Sequence, residues 1–401
     1  MEAAAVAPAP SGEAAKKVRT WSQLRLDILE IIFLKLPFLD YVYAGAVCVS
    51  WRRAAVAARN LRSSPPRAPW LMFSQDPETK LHSFLSLGHN SKIFNLHLPI
   101  PHSQEEQYLG SFQEWLLLKK TCSRPELFLL NIISKARIQL PRNAEQHYVF
   151  TSNRYPMSCR ALVDSASEGI LSSAPTSDDC IVVMLLPQSQ SGSLLALCRI
   201  GMSNPKWIVF QPYQGGNVFD IASITFYDGR LHAITKNYWH IVWELDVVPP
   251  AFTMFSTRPS LQIAARDWNR VRRDGIHLVE SNSQLLLVLK LTSHCLDNNC
   301  VDDYLKTLGF YVFKMDPSSP TTRWVKVESL GDEMFFLGDK GSNSFSARGL
   351  CGFRGNCIYF TKNYIDYLPS KCDAAVFSLK DSTIQTLISK HLSLPLMWFM
   401  V

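Results

Sequence analysis

The sequence has no long uncharged apolar run. Its longest runs, Ile181–Leu186 and Leu396–Val401, reach about six residues, whereas a membrane-spanning helix needs about 20. The first twenty residues (MEAAAVAPAPSGEAAKKVRT) lack the apolar segment of a secretory signal. No Asn begins an Asn-x-Ser/Thr sequon, the N-glycosylation acceptor of secreted proteins. We therefore expect no membrane partner and a location in the cytoplasm, the nucleus or both.

Closely paired cysteines are also missing. The chain has ten cysteines, and no two have the two-residue spacing with which a tight turn aims two thiolates at one zinc. Scattered single cysteines are typical of buried thiols in a reducing compartment. The segment HCLDNNC offers His294, Cys295 and Cys300, but its four-residue gap fits a zinc site poorly, and its Asp and Asn residues favour a hairpin tip. We expect no metal and no cofactor.

The chain carries little surplus charge. Its formal net charge is +7, and residues 1–70 hold 10 of the 41 basic and 5 of the 34 acidic side chains. The rest of the chain is nearly balanced, so no basic face for a nucleic acid is indicated. We expect no nucleic-acid partner.

Composition divides the chain into four segments. Residues 1–20 are rich in Ala and Pro and predict a disordered tail. Residues 21–60 have helical periodicity, and 61–70 contain the stiff segment SSPPRAP, which predicts a linker. Residues 71–401 consist of short β-branched, Leu-rich and aromatic runs separated by turn residues.

The helical segment carries one apolar stripe at three- and four-residue intervals. Pro37 stops the first helix, and Asp40 is a candidate cap for the next, whose apolar positions run on to Trp51. The stripe of the first helix comprises Leu24, Ile28, Leu29, Ile32, Phe33 and Leu36.

The β-rich segment repeats a pattern of hairpins at intervals of roughly 40–70 residues, which is typical of degenerate propeller blades. At roughly 45–50 residues per blade, it holds six or seven blades. A two-sheet sandwich is the rival fold, but the segment is large for one. The predicted fold class is therefore multidomain, with a small all-α module followed by an all-β propeller.

Residues Leu24–Ala55 resemble the F-box without a gap. The family pattern appears here as an apolar helix ending at Leu36, then Asp40, Val47-Cys48 and Trp51-Arg52, with Arg25 where the family usually has Pro. The resemblance implies a module that docks on a Skp-type adaptor of a cullin–RING (SCF) ubiquitin ligase. The predicted adaptor-binding residues are Leu24, Ile28, Leu29, Ile32, Phe33, Leu36, Val47 and Trp51.

Elementary physics supports an interface at this module. About 40 residues are too few to bury so many apolar side chains in their own core, and an exposed remainder of this size marks a protein interface. Trp51 and Cys48 are expected to lie inside the module, while the first helix makes most of the contacts. The alternative is a helical cap that packs on the β-domain.

The C-terminal region resembles the propeller domain of a large plant F-box family, the KIB type. The resemblance covers most of residues 90–380 and includes EWLLLKK (114–120), LFLLNIISKARIQLP (127–141), FYDGRLHAI (226–234) and NCIYF (356–360). It implies that the propeller binds a target protein.

Two loop-like stretches are candidates for the target surface. In ARDWNRVRRDG, Trp268 stands among arginines that include Arg270 and Arg272, and NYWH contains Trp239 and His240. Exposed Trp and Arg are preferred binding residues. The alternatives are a solvated connection with Trp268 turned inward and a blade corner with buried aromatics.

The sequence as a whole predicts the substrate receptor of an SCF-type ubiquitin ligase, a non-catalytic subunit with an unknown target. A propeller scaffold with a vestigial F-box is one alternative, and a propeller hydrolase is another. The adjacent acidic pairs at 178–179, 302–303 and 332–333 do not support the hydrolase, because neighbours on a strand point apart and all three pairs lie beside turn residues.

Overall fold

The structure is a computed structural model, and the chain divides in it into two compact units, Met1–Pro65 and Pro66–Val401. The predicted tail, residues 1–20, and most of the predicted linker lie outside the described residues. The described residues are 21–36, 38–61, 69–75, 82–87, 93–96, 106–121, 124–132, 134–142, 144–146, 159–187, 192–214, 217–247, 250–257, 261–295, 304–318, 323–338, 340–350, 352–363, 372–392 and 397–399.

The N-terminal unit contains a short 3-10 turn, Trp21–Gln23, and the helices α1 (Leu26–Lys35), α2 (Phe38–Val47) and α3 (Val49–Leu61). Both α1 and α2 pack against α3. Small side chains on α3 let the helices approach closely. The core of the unit comprises Leu29, Phe33, Tyr41, Ala54, Ala55 and Ala58.

The helix boundaries differ in two places from the sequence prediction. Asp40 lies in the first turn of α2 and does not cap it, since α2 begins at Phe38. Its carboxylate still favours the positive end of the helix dipole. The single helix predicted to run on to Trp51 is two helices, because α2 ends at Val47 and α3 begins at Val49.

The second unit is a six-bladed propeller, which confirms the predicted fold class. Blade 1 contains β1 (Trp70–Gln75), β2 (His82–Ser86), β3 (Ile93–Leu96) and the C-terminal β28 (Met397–Phe399). Blade 2 contains β4 (Glu106–Phe112), β5 (Trp115–Lys120), β6 (Glu126–Asn131) and β7 (Arg137–Gln139). Blade 3 contains β8 (Ala144–Gln146), β9 (Glu168–Leu171), β10 (Ile181–Leu186), β11 (Leu194–Arg199) and β12 (Trp207–Phe210).

The other three blades follow in chain order after a two-stranded ribbon, β13 (Tyr213–Gln214) and β14 (Asn217–Val218). Blade 4 contains β15 (Ile221–Tyr227), β16 (Arg230–Thr235), β17 (Trp239–Glu244) and β18 (Ala251–Ser256). Blade 5 contains β19 (Val271–Ser281), β20 (Gln284–Cys295), β21 (Tyr304–Asp316) and β22 (Arg323–Lys326). Blade 6 contains β23 (Glu333–Gly338), β24 (Gly341–Ser346), β25 (Cys357–Asn363), β26 (Cys372–Ser378) and β27 (Thr383–Leu392).

The inner strands of each blade contact the inner strands of the neighbouring blades, and these contacts close a ring. The contacts run from β28 to β4, β9, β15 and β19, then to β24, and from β23 back to β28. The last strand of the chain closes the ring, since β28 pairs antiparallel with β1 in the register Trp70↔Phe399. Closure of this kind removes the free sheet edges that an open array would leave.

Blade 6 departs from the four-stranded pattern because β24 folds back along β23 toward the centre of the ring. Its side chains reach β19 of blade 5: Ser344 Oγ lies 2.7 Å from Ser281 Oγ, and Ser342 Oγ lies 3.1 Å from His277 Nδ1. Lys340, just before β24, donates from Nζ to the Ser167 carbonyl at 2.6 Å. The strand therefore occupies the central channel of the propeller.

The β-unit also contains two short helices that the sequence pattern did not reveal, α4 (Cys159–Ser165) and α5 (Ala265–Trp268). Both are shorter than two and a half turns, so they show no periodicity to detect. In the described part of the chain no helix is long and apolar enough to cross a bilayer.

Candidate functional site

Helix α1 has two apolar faces. Leu29 and Phe33 have no exposed surface and face the core of the helical unit. On the other side of the helix, Ile28, Ile31 and Leu34 expose 43%, 56% and 39% of their surface. Because these three residues are spaced three apart, they form one stripe along the helix. An exposed apolar stripe opposite a buried face is suited to a partner protein.

The predicted adaptor-binding residues fall into three groups. Ile28 and Val47 are exposed, the latter by 68%. Leu24, Ile32, Leu36 and Trp51 are half-buried. Leu29 and Phe33 are fully buried, so they have no surface with which to contact another protein, and their assignment as contact residues is corrected. They hold α1 on the module instead.

Trp51 fixes the packing between α3 and the other elements of the unit. Its ring meets Phe33 edge to face at a centroid distance of 5.9 Å, and Nε1 donates a hydrogen bond to the Trp21 carbonyl at 3.1 Å. Phe33 also meets Tyr41 edge to face at 5.3 Å. Edge-to-face aromatic pairs have a preferred geometry, so these contacts fix the position of α3 relative to α1 and α2.

Sequence reasoning missed several exposed apolar side chains of this unit. Ile31 and Leu34 continue the spacing that begins at Ile28, so periodicity could have revealed them as a second stripe. The other missed residues are Trp21, Leu26, Tyr43, Val49 and Val56.

On the propeller, four aromatic side chains lie together where blades 3, 4 and 5 connect. Tyr238 meets Trp268 edge to face at 5.1 Å, and Trp239 meets Phe219 at 6.4 Å. Tyr238, in the turn between β16 and β17, also accepts hydrogen bonds at its carbonyl from the backbone and side chain of Thr257. We call Phe219, Tyr238, Trp239 and Trp268 the aromatic rim.

Of the predicted target-binding residues, Trp239, Trp268 and Arg270 lie in or beside this rim. Trp239 exposes 37% of its surface, whereas Trp268 is half-buried, as the alternative of an inward-turned ring predicted. The guanidinium of Arg270 donates to Asp267 Oδ1 at 3.1 Å, and Tyr311 donates its hydroxyl proton to Oδ2 at 2.9 Å. Arg270 and Arg266, both exposed, pair with the carboxylate of Asp267, so two guanidinium groups at this surface share one buried carboxylate.

His240 does not belong to this surface, and its assignment as a target-binding residue is corrected. Only 1% of it is exposed. Its Nε2 lies 3.0 Å from Nδ1 of His232, and its ring meets Trp324 edge to face at 5.7 Å. Burial, together with the neighbouring His232, lowers the pKa of His240 to about 3. Alternation along β17 turns His240 inward and its neighbour Trp239 outward.

A cavity of about 630 Å³ opens at the end of the channel where the inner strands of blades 3, 4 and 5 begin. Arg272, the last predicted target-binding residue, lines it together with Lys236 and Lys340. Glu168 is the one carboxylate among its described lining residues. We call this the mouth cavity. Lys340 and Gly341 also line a cavity of about 250 Å³, whose lining continues along β24 to Ser344.

The structure brings together no metal-binding cluster of His, Cys, Asp or Glu within the described residues. His294 and Cys295 stand at the end of β20, while Cys300 lies outside the described residues. Asp178 and Asp179 lie in a turn, and Asp332 pairs with Arg348 at 2.6 Å. The pair at 302–303 also falls outside the described part.

Comparison with known proteins matches residues 84–381 to the family described as KIB1-4 beta-propeller. The "Putative F-box protein At5g66830" of Arabidopsis thaliana is 24% identical over 394 residues, covering 91% of this chain and 88% of that protein. The "Probable F-box protein At4g22060" of the same plant is 23% identical, covering 91% of each. The solved structure of YjhT superposes on this chain with a TM-score of 0.35 at 8% identity, over 81% of this chain and 98% of its own. The predicted resemblance is confirmed, and this chain belongs to the KIB1-4 β-propeller family.

Proposed function

We propose that this protein is the substrate receptor of an SCF-type ubiquitin ligase. Its helical unit binds a Skp-type adaptor, and through it a cullin–RING ligase, and its propeller binds a target protein. The observation that carries the proposal is the free apolar face of α1, formed by Ile28, Ile31 and Leu34 opposite the buried face of the same helix. The F-box pattern of residues 24–55 and the names of the Arabidopsis relatives support it.

The adaptor surface follows from burial. Ile28, Ile31, Leu34 and Val47 supply exposed apolar area that a partner can remove from water, at about 25 cal/mol per Å². Leu24, Ile32 and Leu36 border it with their exposed parts, while Leu29, Phe33 and Trp51 hold the helices in place.

Such a receptor needs no reactive group of its own. Holding a target beside a ubiquitin-charged enzyme raises the effective concentration of its lysines, so that transfer becomes quasi-intramolecular. The propeller supplies a rigid surface for this purpose, and the aromatic rim places the exposed Trp239 and the exposed Arg270, residue types preferred in binding, on it. Work of this kind takes place where ubiquitin ligases act, and we place the protein in the cytoplasm, the nucleus or both.

The test is adaptor capture by the full chain carrying Ile31→Asp. A carboxylate in an apolar interface loses the burial of Ile31 and must be desolvated, so affinity should fall by at least about tenfold, or about 1.4 kcal/mol. Val247→Asp is the matched control, since Val247 is exposed by 48% on the propeller. Isothermal titration with the purified adaptor measures both variants.

Equal affinities for Ile31→Asp and wild type would contradict this docking face. A wild-type chain that fails to bind any Skp-type adaptor would instead favour the scaffold with a vestigial F-box. The hydrolase gains no supporting observation, because among the described lining residues of the mouth cavity Glu168 has no second carboxylate beside it.

A further inference from the structure

The mouth cavity and the aromatic rim form one continuous surface. Two chain segments join them: the corner between β16 and β17 contributes Lys236 to the cavity and Trp239 to the rim, and the segment before β19 contributes Arg272 to the cavity and Trp268 to the rim. Lys236 and Trp239 are three residues apart and Trp268 and Arg272 are four apart, so one extended ligand can reach both the cavity and the rim.

The cavity is electrostatically one-sided. Lys236, Arg272 and Lys340 line it, against the single carboxylate of Glu168. Within the described part of the chain, neither Lys236 nor Lys340 forms an ion pair with a carboxylate, and Lys340 gives one of its three donors to the Ser167 carbonyl. Lysine ammonium groups beside low-dielectric walls concentrate anions in such a recess.

The region of the aromatic rim adds further positive charge. Arg266 and Arg270 are exposed around Asp267, whose oxygens already accept hydrogen bonds from Arg270 and Tyr311. One exposed and three half-buried aromatic rings near two exposed arginines suit a polypeptide, which offers apolar side chains to the rings and carboxylates to the cations. A small free anion would use the cavity and leave the rim without a role.

We propose that the mouth cavity and the aromatic rim bind an acidic segment of the target protein, whose carboxylates enter the cavity toward Lys236, Arg272 and Lys340. The proposal rests on the proposed function and specifies the chemistry of its target. The cavity volume of about 630 Å³ lies within the range of pockets that enclose small molecules, so it accommodates a few side chains and not a folded domain.

The test measures fluorescence anisotropy of fluorescein-labelled hexaglutamate with the full chain at about 50 mM salt, where the screening length exceeds ~10 Å. Hexaserine with the same label is the control peptide. We expect hexaglutamate to bind at least about tenfold more tightly than hexaserine, and Lys236→Glu and Arg272→Glu each to weaken it by at least about fivefold. Arg323→Glu, an exposed arginine on the outer strand β22, is the matched control and should leave affinity within about twofold of wild type.

Three results would overturn the proposal. The first is equal affinity for the two peptides, and the second is unchanged affinity in both cavity variants. The third is displacement of hexaglutamate by inorganic pyrophosphate at a lower concentration than by unlabelled hexaglutamate, which would identify a site for small anions. Lys236→Gln replaces Lys236→Glu if that variant does not fold. Adaptor capture by the same preparations separates the two proposals, because the cavity variants should bind the adaptor as wild type does.

Discussion

The helical unit and the propeller treat their apolar side chains differently. Of the sixteen large apolar side chains that are exposed among the described residues, nine lie between Trp21 and Val56, although the propeller is several times larger. The propeller pairs every blade with two neighbours and closes on itself through β28, so its apolar faces meet one another. The three short helices of the N-terminal unit form no closed ring, so part of their apolar surface stays exposed. The comparison shows that the helical unit leaves exposed the kind of apolar surface that the closed propeller buries.

The largest expected effect comes from the strand that closes the ring. Trp398 is 3% exposed, donates from Nε1 to the Leu337 carbonyl at 3.0 Å, and packs against Phe336 at 5.0 Å. Trp398→Ala should lower the free energy of unfolding of the propeller by about 3–5 kcal/mol, because it leaves a cavity where the ring closes.

Trp21→Ala is the matched change in the helical unit. Trp21 is 73% exposed, and the hydrogen bond from Trp51 reaches its carbonyl, which the variant keeps. We expect a loss below about 0.5 kcal/mol. Urea unfolding followed by circular dichroism measures both variants. Similar losses of stability for the two tryptophans would contradict the difference in apolar burial between the units.

An intermediate effect is expected from acid, and it should act on the propeller. Burial lowers the pKa of His232 to about 4 and that of His240 to about 3, while an unfolded histidine titrates near 6.5. Between these values the unfolded chain binds protons that the folded chain does not. The contribution to stability is therefore complete above about pH 6.5 and is lost as the pH falls.

Each of the two histidines should remove about 1.4 kcal/mol per pH unit between about pH 6 and pH 5. His240→Gln removes one titrating group, so the stability of that variant should depend less steeply on pH, even if it is lower at pH 7. Urea unfolding at a series of pH values measures the slopes. Parallel slopes for the variant and wild type would contradict the assignment of the acid sensitivity to this pair.

A small effect, in the stabilising direction, is expected from Arg25→Pro in the helical unit. Arg25 precedes α1 with φ −62° and ψ 146°, and its exposed ion pair with Asp27 spans 2.8 Å. Proline requires a φ near this value, and exposed ion pairs contribute little. The variant should therefore unfold with a free energy within about 1 kcal/mol of wild type, shifted toward higher stability, and bind the adaptor equally or more tightly.

Thermal unfolding and adaptor titration measure this variant together. Arg25→Ala is its control, since it removes the same ion pair without fixing the backbone. If Arg25→Pro loses helical signal and Arg25→Ala does not, the backbone before α1 needs a conformation that proline does not allow.

Much of the propeller was predictable from local pattern. Turn residues at Asp228-Gly229 and Asn282-Ser283 adopt the positive φ values that tight hairpins require, and the strands on either side are buried as their composition predicts. The innermost strand β24 was not predictable, because its sequence GSNSFS is polar and two of its serines bond to groups on blade 5. His240 was misplaced for a similar reason: its burial depends on the side chains that blade 5 places over it, such as Trp324.

The two-part organisation, the propeller and the family were predictable from the residue pattern alone, because short β-runs, turn residues and ordered motifs are local properties of the chain. The same pattern also shows that α1 is apolar. Which of the two apolar faces of α1 is free depends on the packing of the three helices, since periodicity places residues around a helix but does not say where the next helix packs. The tertiary structure likewise decided the closure of the ring and the charge of the mouth cavity. Both depend on side chains from distant parts of the chain that meet only when the blades assemble.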